Sequence, residues 1–165
     1  MDLTAYKDFL IVCVEASASF IGLLFVALTV VIARMNPGAK LEFNDRRLAE
    51  GAFTALANIF FISLTGLLPD LNIGYIALVG VLFGIRSVLR QYVEFRRTHA
   101  ASQADIRNFL WIGTSALVYL FQAVIAFRII LEPANQSNID VLMGILVGLF
   151  VIGLRRSWEL TGVRS

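Results

Sequence analysis

The stretch GAFTALANIFFISLTGLLPDLNIGYIALVGVLFGIR, residues 51–86, decides the fold. Its first nineteen residues, Gly51 to Pro69, carry no charge, and one acidic residue, Asp70, precedes fifteen more uncharged residues from Leu71 to Ile85. A helix needs about 20 mostly apolar residues to cross a bilayer. The first half meets that length. The second is short but runs directly into Arg86, whose long stem can reach back to the headgroups and extend the helix by a turn or two. Pro69-Asp70-Leu71-Asn72 between them reads as a tight turn, with proline stopping one helix and an Asp or Asn available to cap the next. Two spans joined by a tight turn are therefore expected. Helices are the workable form, because an open sheet in hydrocarbon leaves backbone groups unpaired.

Three further apolar segments flank this hairpin. Phe9 to Ala33 is interrupted by Glu15 alone, Asn108 to Phe127 holds no charge, and Val141 to Leu154 runs into Arg155-Arg156 as the third segment runs into Arg86. The composition agrees: 58% hydrophobic and 16% charged, mean hydropathy +0.78, over 165 residues. Soluble domains are about 45–50% apolar and about 25% charged. The expected fold is an all-α bundle of five transmembrane helices in one domain, with spans near 8–34, 48–69, 71–95, 106–131 and 139–158. Asn36-Pro37-Gly38 breaks the chain after the first span. Ser102-Gln103-Ala104-Asp105 and Ser137-Asn138-Ile139-Asp140 read as capping-box-like starts of the fourth and fifth.

Charge selects five spans over four. Arg34, Lys40, Arg46 and Arg47 lie between the first and second segments, and Arg86, Arg90, Arg96, Arg97 and Arg107 between the third and fourth. Arg155, Arg156 and Arg164 follow the fifth, so twelve of the fourteen basic residues share one side. Lys7 and Arg128 are the exceptions. Cytoplasmic loops carry the excess of Lys and Arg, which puts the N-terminus outside and the C-terminus in the cytoplasm. Acidic Asp2 and Asp8 stand where a signal peptide would be basic, so the first segment is expected to remain as an anchor. Neither end carries a lipidation motif.

The function classes thin out quickly. Cys13 and His99 are the single cysteine and histidine, so one chain builds neither a disulfide nor a zinc site from them. No nucleophile elbow, phosphate loop, zinc-protease helix or catalytic carboxylate pair is present, and neither enzyme activity nor a cofactor is expected. With a net charge of +2, the basic pI reflects arginines placed at a membrane surface, so no nucleic-acid partner is expected. Asn135-Gln136-Ser137 is a glycosylation sequon, relevant only in a glycosylating host.

The polar residues inside the spans are the candidate site. Glu15 lies roughly 16 Å into a helix starting near Thr4, at about 1.5 Å per residue. A carboxylate at that depth is a functional candidate by default, and Arg128 is its expected partner, either as a charge site or as a packing pair. Glu50, Thr54, Asn58 and Thr65 share one face of the second span. Ser115, Tyr119 and Gln122 share a side of the fourth, and the first offers Ser19, Gly22 and Thr29. Arg86 and Arg90, four apart at the inner end of the third span, could hold an anionic headgroup or pair with Glu50 and Glu94. Small residues spaced four apart, Ala18 with Gly22, Gly80 with Gly84 and Gly144 with Gly148, allow close helix packing. The third and fifth segments also look alike (VGVLFGIRS, 79–87, and VGLFVIGLRRS, 147–157), by a duplicated hairpin or by chance.

Ala18-Ser19-Phe20-Ile21-Gly22-Leu23-Leu24-Phe25-Val26-Ala27-Leu28-Thr29, followed by Arg47-Leu48-Ala49-Glu50, resembles uncharacterised small bacterial multi-span proteins whose first helix carries A-x-x-x-G-L-[LI]-F-V-A-[LV]-[ST] and whose second begins with R-x-x-E. The resemblance covers about the first half of the chain. It implies a multi-pass protein of the bacterial inner membrane and carries no residue role. Two functions are expected. One is a small homo-oligomeric channel for ions or small solutes, with Glu15 and Arg128 as a charge site and Thr54, Asn58, Thr65 and Gln122 as polar groups toward the path. The other is a non-conducting membrane interaction or regulatory subunit whose polar stripe is packing glue. The first predicts a polar face around a symmetry axis; the second predicts Glu15, Asn58 and Gln122 satisfied within one subunit.

Overall fold

The computed structural model describes residues 4–33, 43–69, 71–97 and 103–160. The Asn36-Pro37-Gly38 break, Asp70, His99 and the Ser102 start of the fourth span lie outside them. A short 3-10 turn, Thr4–Tyr6, leads into α1 (Lys7–Ala33), followed by α2 (Phe43–Gly66), α3 (Ile73–Arg97), α4 (Gln103–Leu131) and α5 (Gln136–Leu160). The five helices are each long and apolar enough to cross a membrane. Those of the third and fifth spans do run on through Arg86 and Arg155-Arg156.

The termini follow local chemistry. The Asn72 side-chain oxygen accepts the Gly74 N–H at 2.9 Å and caps α3. For α5 the cap sits earlier than the Ser137-to-Asp140 pattern suggests: Asn135 Oδ1 accepts the Ser137 N–H at 3.2 Å, while Asn138 is buried on the core face. Asn135 thus both caps α5 and donates to Glu132 at 3.2 Å.

The helices alternate in direction. Leu10 meets Gly66, Phe25 stacks edge-on with Phe53, and the α3–α4 contact runs from Gly74 beside Ala126 to Gly84 beneath Tyr119. α2 is central, touching α1, α3 and α5, and α5 also reaches α4. Ile59, Ile62, Leu142, Leu146 and Leu149 form the middle of the core, with Ala52, Ala55, Ala77 and Ala126 letting the helices approach closely. Gly153 brings α5 against Leu56 and the Ala52 carbonyl. The outer surface is strongly apolar, with Leu82, Phe83, Leu117 and Val151 among many exposed large side chains. In water such a surface would aggregate; it is the surface expected where lipid is the solvent.

The glycine pairs divide. Gly80 and Gly84 lie in tight contact, the first against the Asn58 amide and the second against the Tyr119 ring. Gly22, Gly144 and Gly148 meet nothing where a side chain would begin, and Ala18 is exposed. The expectation of packing by these four residues is therefore not met within one subunit. α3 and α5, similar in sequence, also differ in setting: α5 buries a continuous face from Asn138 to Leu160, while α3 is a flanking helix.

Candidate functional site

Polar chemistry collects at three places in the bundle. The first is the middle. Asn58 of α2 donates through Nδ2 to Gln122 Oε1 at 2.8 Å. Gln122 Nε2 donates to the Ala77 carbonyl of α3 at 2.9 Å, with a longer 3.4 Å contact to Asn58 Oδ1. Both amides are buried, and Gly80 makes room for the Asn58 side chain. Three helices are thus joined by one amide pair, whose alternative would be unpaired polar groups in hydrocarbon. Thr54 and Thr65, the hydroxyl members of the stripe, donate to the Glu50 and Phe61 carbonyls one turn back on their own helix, each at 2.7 Å. Asn58 and Thr65 are buried, while Thr54 and Glu50, nearer the arginine-rich end, are part-exposed.

The second place was not legible as a site. Arg156 of α5 is buried and donates through Nη2 to Ser115 Oγ of α4 at 2.9 Å. Its guanidinium lies where a Cβ at position 51 would be, so Gly51 of α2 leaves the room that it occupies. In sequence Arg156 is one of two adjacent arginines at a helix end, and reads as a solvated anchor. The distinguishing signal is its register: Leu149, Ile152, Gly153 and Arg156 continue one buried stripe, whereas Arg155 points out and meets Glu159 at 3.4 Å.

The third is a groove of about 550 Å³ between α1, α2 and α3 at the arginine-rich end. Leu24, Phe25, Leu28 and Phe53 form its walls, and Arg46, Glu50 and Arg90 stand at its rim. Arg90 Nη1 contacts Glu50 Oε1 at 3.4 Å, an exposed pair of modest strength. The groove thus sets an apolar trough beside two guanidiniums and one carboxylate. Arg86, expected to act with Arg90, is exposed and does not line this groove.

Glu15 and Arg128 are not brought together. Both are exposed, and α1 and α4 make no contact among the described residues. The proposed intrasubunit pair is thereby corrected: α1 packs on α2 and α5, on the far side from α4. At the opposite end from the arginine cluster, the Tyr6 hydroxyl donates to Asp140 at 2.5 Å and contacts Gln136 at 3.3 Å, tying the start of α1 to α5. The hydrogen bond to Asp140, followed by desolvation and the carboxylate's charge, raises the Tyr6 phenol above its usual range. Among the described residues no group of His, Cys, Asp and Glu is arranged to hold a metal. No family model, curated protein or solved structure matches this chain, so the functional reading rests on these three sites and the bare faces around them.

Proposed function

We propose that this is a non-conducting membrane interaction protein whose working surface is its outside. The observation that carries this reading is the Asn58–Gln122 pair: the two mid-span amides bond to each other and to the Ala77 carbonyl, and both are buried. Thr54 and Thr65, offered as channel-lining groups, are also bonded to their own helix. Asn58, Gln122, Thr54 and Thr65 thus behave as the packing-glue reading expects, whereas Glu15, exposed and apart from Arg128, is not satisfied within one subunit as that reading expected.

The membrane frame supports the same view. Five apolar helices alternate in direction, and in the sequence twelve of fourteen basic residues fall in segments that the alternation assigns to one side. We place that end in the cytoplasm, the N-terminus outside, and the protein in a bacterial inner membrane. The groove beneath Arg46 and Arg90 then lies in the inner leaflet, where its ligand is an anionic phospholipid: acyl chain against Leu24, Leu28 and Phe53, phosphate at the arginines.

The deciding measurement is flux. Proteoliposomes loaded with a potassium or fluorescent-solute reporter should leak no faster than empty vesicles. A protein-dependent conductance that disappears in Asn58→Leu would overturn the reading. Thr98→Cys and Asn135→Cys, in a Cys13→Ala background, should label from opposite faces. Labelling of both from one face would overturn the orientation. Phosphatidylglycerol should raise the melting temperature more than phosphatidylcholine does, and Arg46→Ala with Arg90→Ala should remove the difference.

A further inference from the structure

The bare faces of α1 and α4 carry matching patterns. On α1 the exposed residues Glu15, Ser19, Gly22 and Val26 are spaced four, three and four apart. On α4 the exposed residues Leu117, Phe121, Val124 and Arg128 have the same spacing. Alternating steps of three and four are the seam of a helix pair. The α1 seam is small at its centre, Ser19 and Gly22, where the α4 seam presents Val124 and Phe121. Set antiparallel, the two align as Glu15 with Arg128, Ser19 with Val124, Gly22 with Phe121 and Val26 with Leu117. A ring thus faces a glycine, and a carboxylate faces a guanidinium.

The two helices cannot meet inside one subunit, since α1 lies against α2 and α5 on the side away from α4. They can meet between subunits if their heights agree. Leu10 is level with Gly66, which sets Glu15 level with residue 61 of α2. The Asn58–Gln122 bond then sets residue 61 level with residue 125 of α4. Arg128 therefore stands three residues from the height of Glu15, about 4.5 Å or just under one helical turn. An arginine side chain spans that distance.

Glu15 also needs such a partner. It lies eight residues beyond Lys7, about 12 Å along α1, and no ion pair to it is found among the described residues. Lys7 and Arg128 are the described basic residues of that end, and Lys7 is too far along the same helix. We infer that a second copy of this chain packs its α4 face, through Arg128, Val124, Phe121 and Leu117, onto the α1 face of the first, with Arg128 paired to Glu15. The contact uses different surfaces on the two copies, so it is head-to-tail. It rests on the membrane-embedded reading and names the partner that reading lacks.

The test uses the full chain in phosphatidylethanolamine–phosphatidylglycerol vesicles. Alkaline extraction comes first: loss of the protein to the supernatant overturns the membrane reading and this contact with it. In retained protein, Gly22→Cys combined with Phe121→Cys, with Cys13→Ala, should form disulfide-linked dimers and larger species under mild oxidation. Leu82→Cys in the same background should not. Glu15→Arg and Arg128→Glu should each lower the oligomer fraction counted by single-molecule photobleaching by about tenfold. Carrying both substitutions should restore it, because each charge then meets its opposite again. Neither residue touches its own core, so both single variants should keep the wild-type melting temperature in detergent. Monomers in vesicles, or a double variant no better than either single one, would overturn the contact while leaving the flux result untouched.

Discussion

α1 and α2 carry similar residues and lead opposite lives. Both are apolar helices studded with small and hydroxyl side chains, yet the apolar window of α2 is 56% buried and that of α1 is 11% buried. α2 places Asn58 between α3 and α4 and closes its polar groups. α1 touches the bundle through Leu10, Ser17, Leu24 and two edge-on aromatic pairs, and leaves Glu15, Ser19, Gly22 and Thr29 bare. In a bilayer, apolar burial does not sort helices into inside and outside, because lipid is as apolar as a core. Packing shape and hydrogen bonding do the sorting. A polar residue on a central helix is glue, and the same residue on a peripheral helix is available for another molecule.

The sharpest way to break this contrast is to fill glycines on each side of it. Gly84→Leu drives a side chain into the Tyr119 ring and should cost about 3 kcal/mol of stability in reversible detergent unfolding. Gly148→Leu, where nothing lies within reach, should change it by less than about 0.5 kcal/mol. Equal effects would mean that the central and outer faces are misassigned.

Next in size is the amide pair. Gln122→Leu leaves the Asn58 amide without its partner and takes the second donor from the Ala77 carbonyl, and should cost about 1–2 kcal/mol. Adding Asn58→Leu should cost less than the sum of the two single losses, since removing both partners leaves fewer groups unpaired. Strict additivity in that cycle would show that the pair is not coupled.

The attachment of α1 is weaker. Leu10→Ala, at a fully buried position against Gly66, should cost about 1 kcal/mol in lost packing. It should also make α1 more accessible to protease. Leu23→Ala, 61% exposed, should do neither. The smallest expected effect is at Tyr6, whose neutral phenol donates to Asp140. Its raised pKa means this tie is fully present below the ordinary phenol value of about 10 and is lost as pH rises through the raised value. Tyr6→Phe should remove that alkaline sensitivity and change the neutral-pH melting temperature only slightly.

Legibility followed the range of the interaction. Five long apolar helices were legible because hydropathy and caps act locally, as Asn72 does for α3. The polar stripe of α2 was legible as a shared face, since Thr54, Asn58 and Thr65 recur at helical spacing. What that face meets was not legible, because the partner amide lies sixty-four residues away. Gly80-Gly84 and Gly144-Gly148 present one motif with two outcomes for the same reason: spacing says a backbone could approach, and only the neighbouring helix says whether one does. Arg156 was hidden by Arg155 beside it, since a charge count treats both alike while the helix turns one inward.

The sequence by itself determined five long apolar helices, their alternation and the collection of arginines at one end, because length, hydropathy and charge are properties of each segment alone. Only the tertiary structure decided that Asn58 and Gln122 close on each other, that Arg156 is buried against Ser115, and that Glu15 and Arg128 stand apart on opposite flanks. Those outcomes depend on which helices adjoin and how each is rotated, and in lipid the apolar pattern that would announce that rotation in a soluble protein is largely absent.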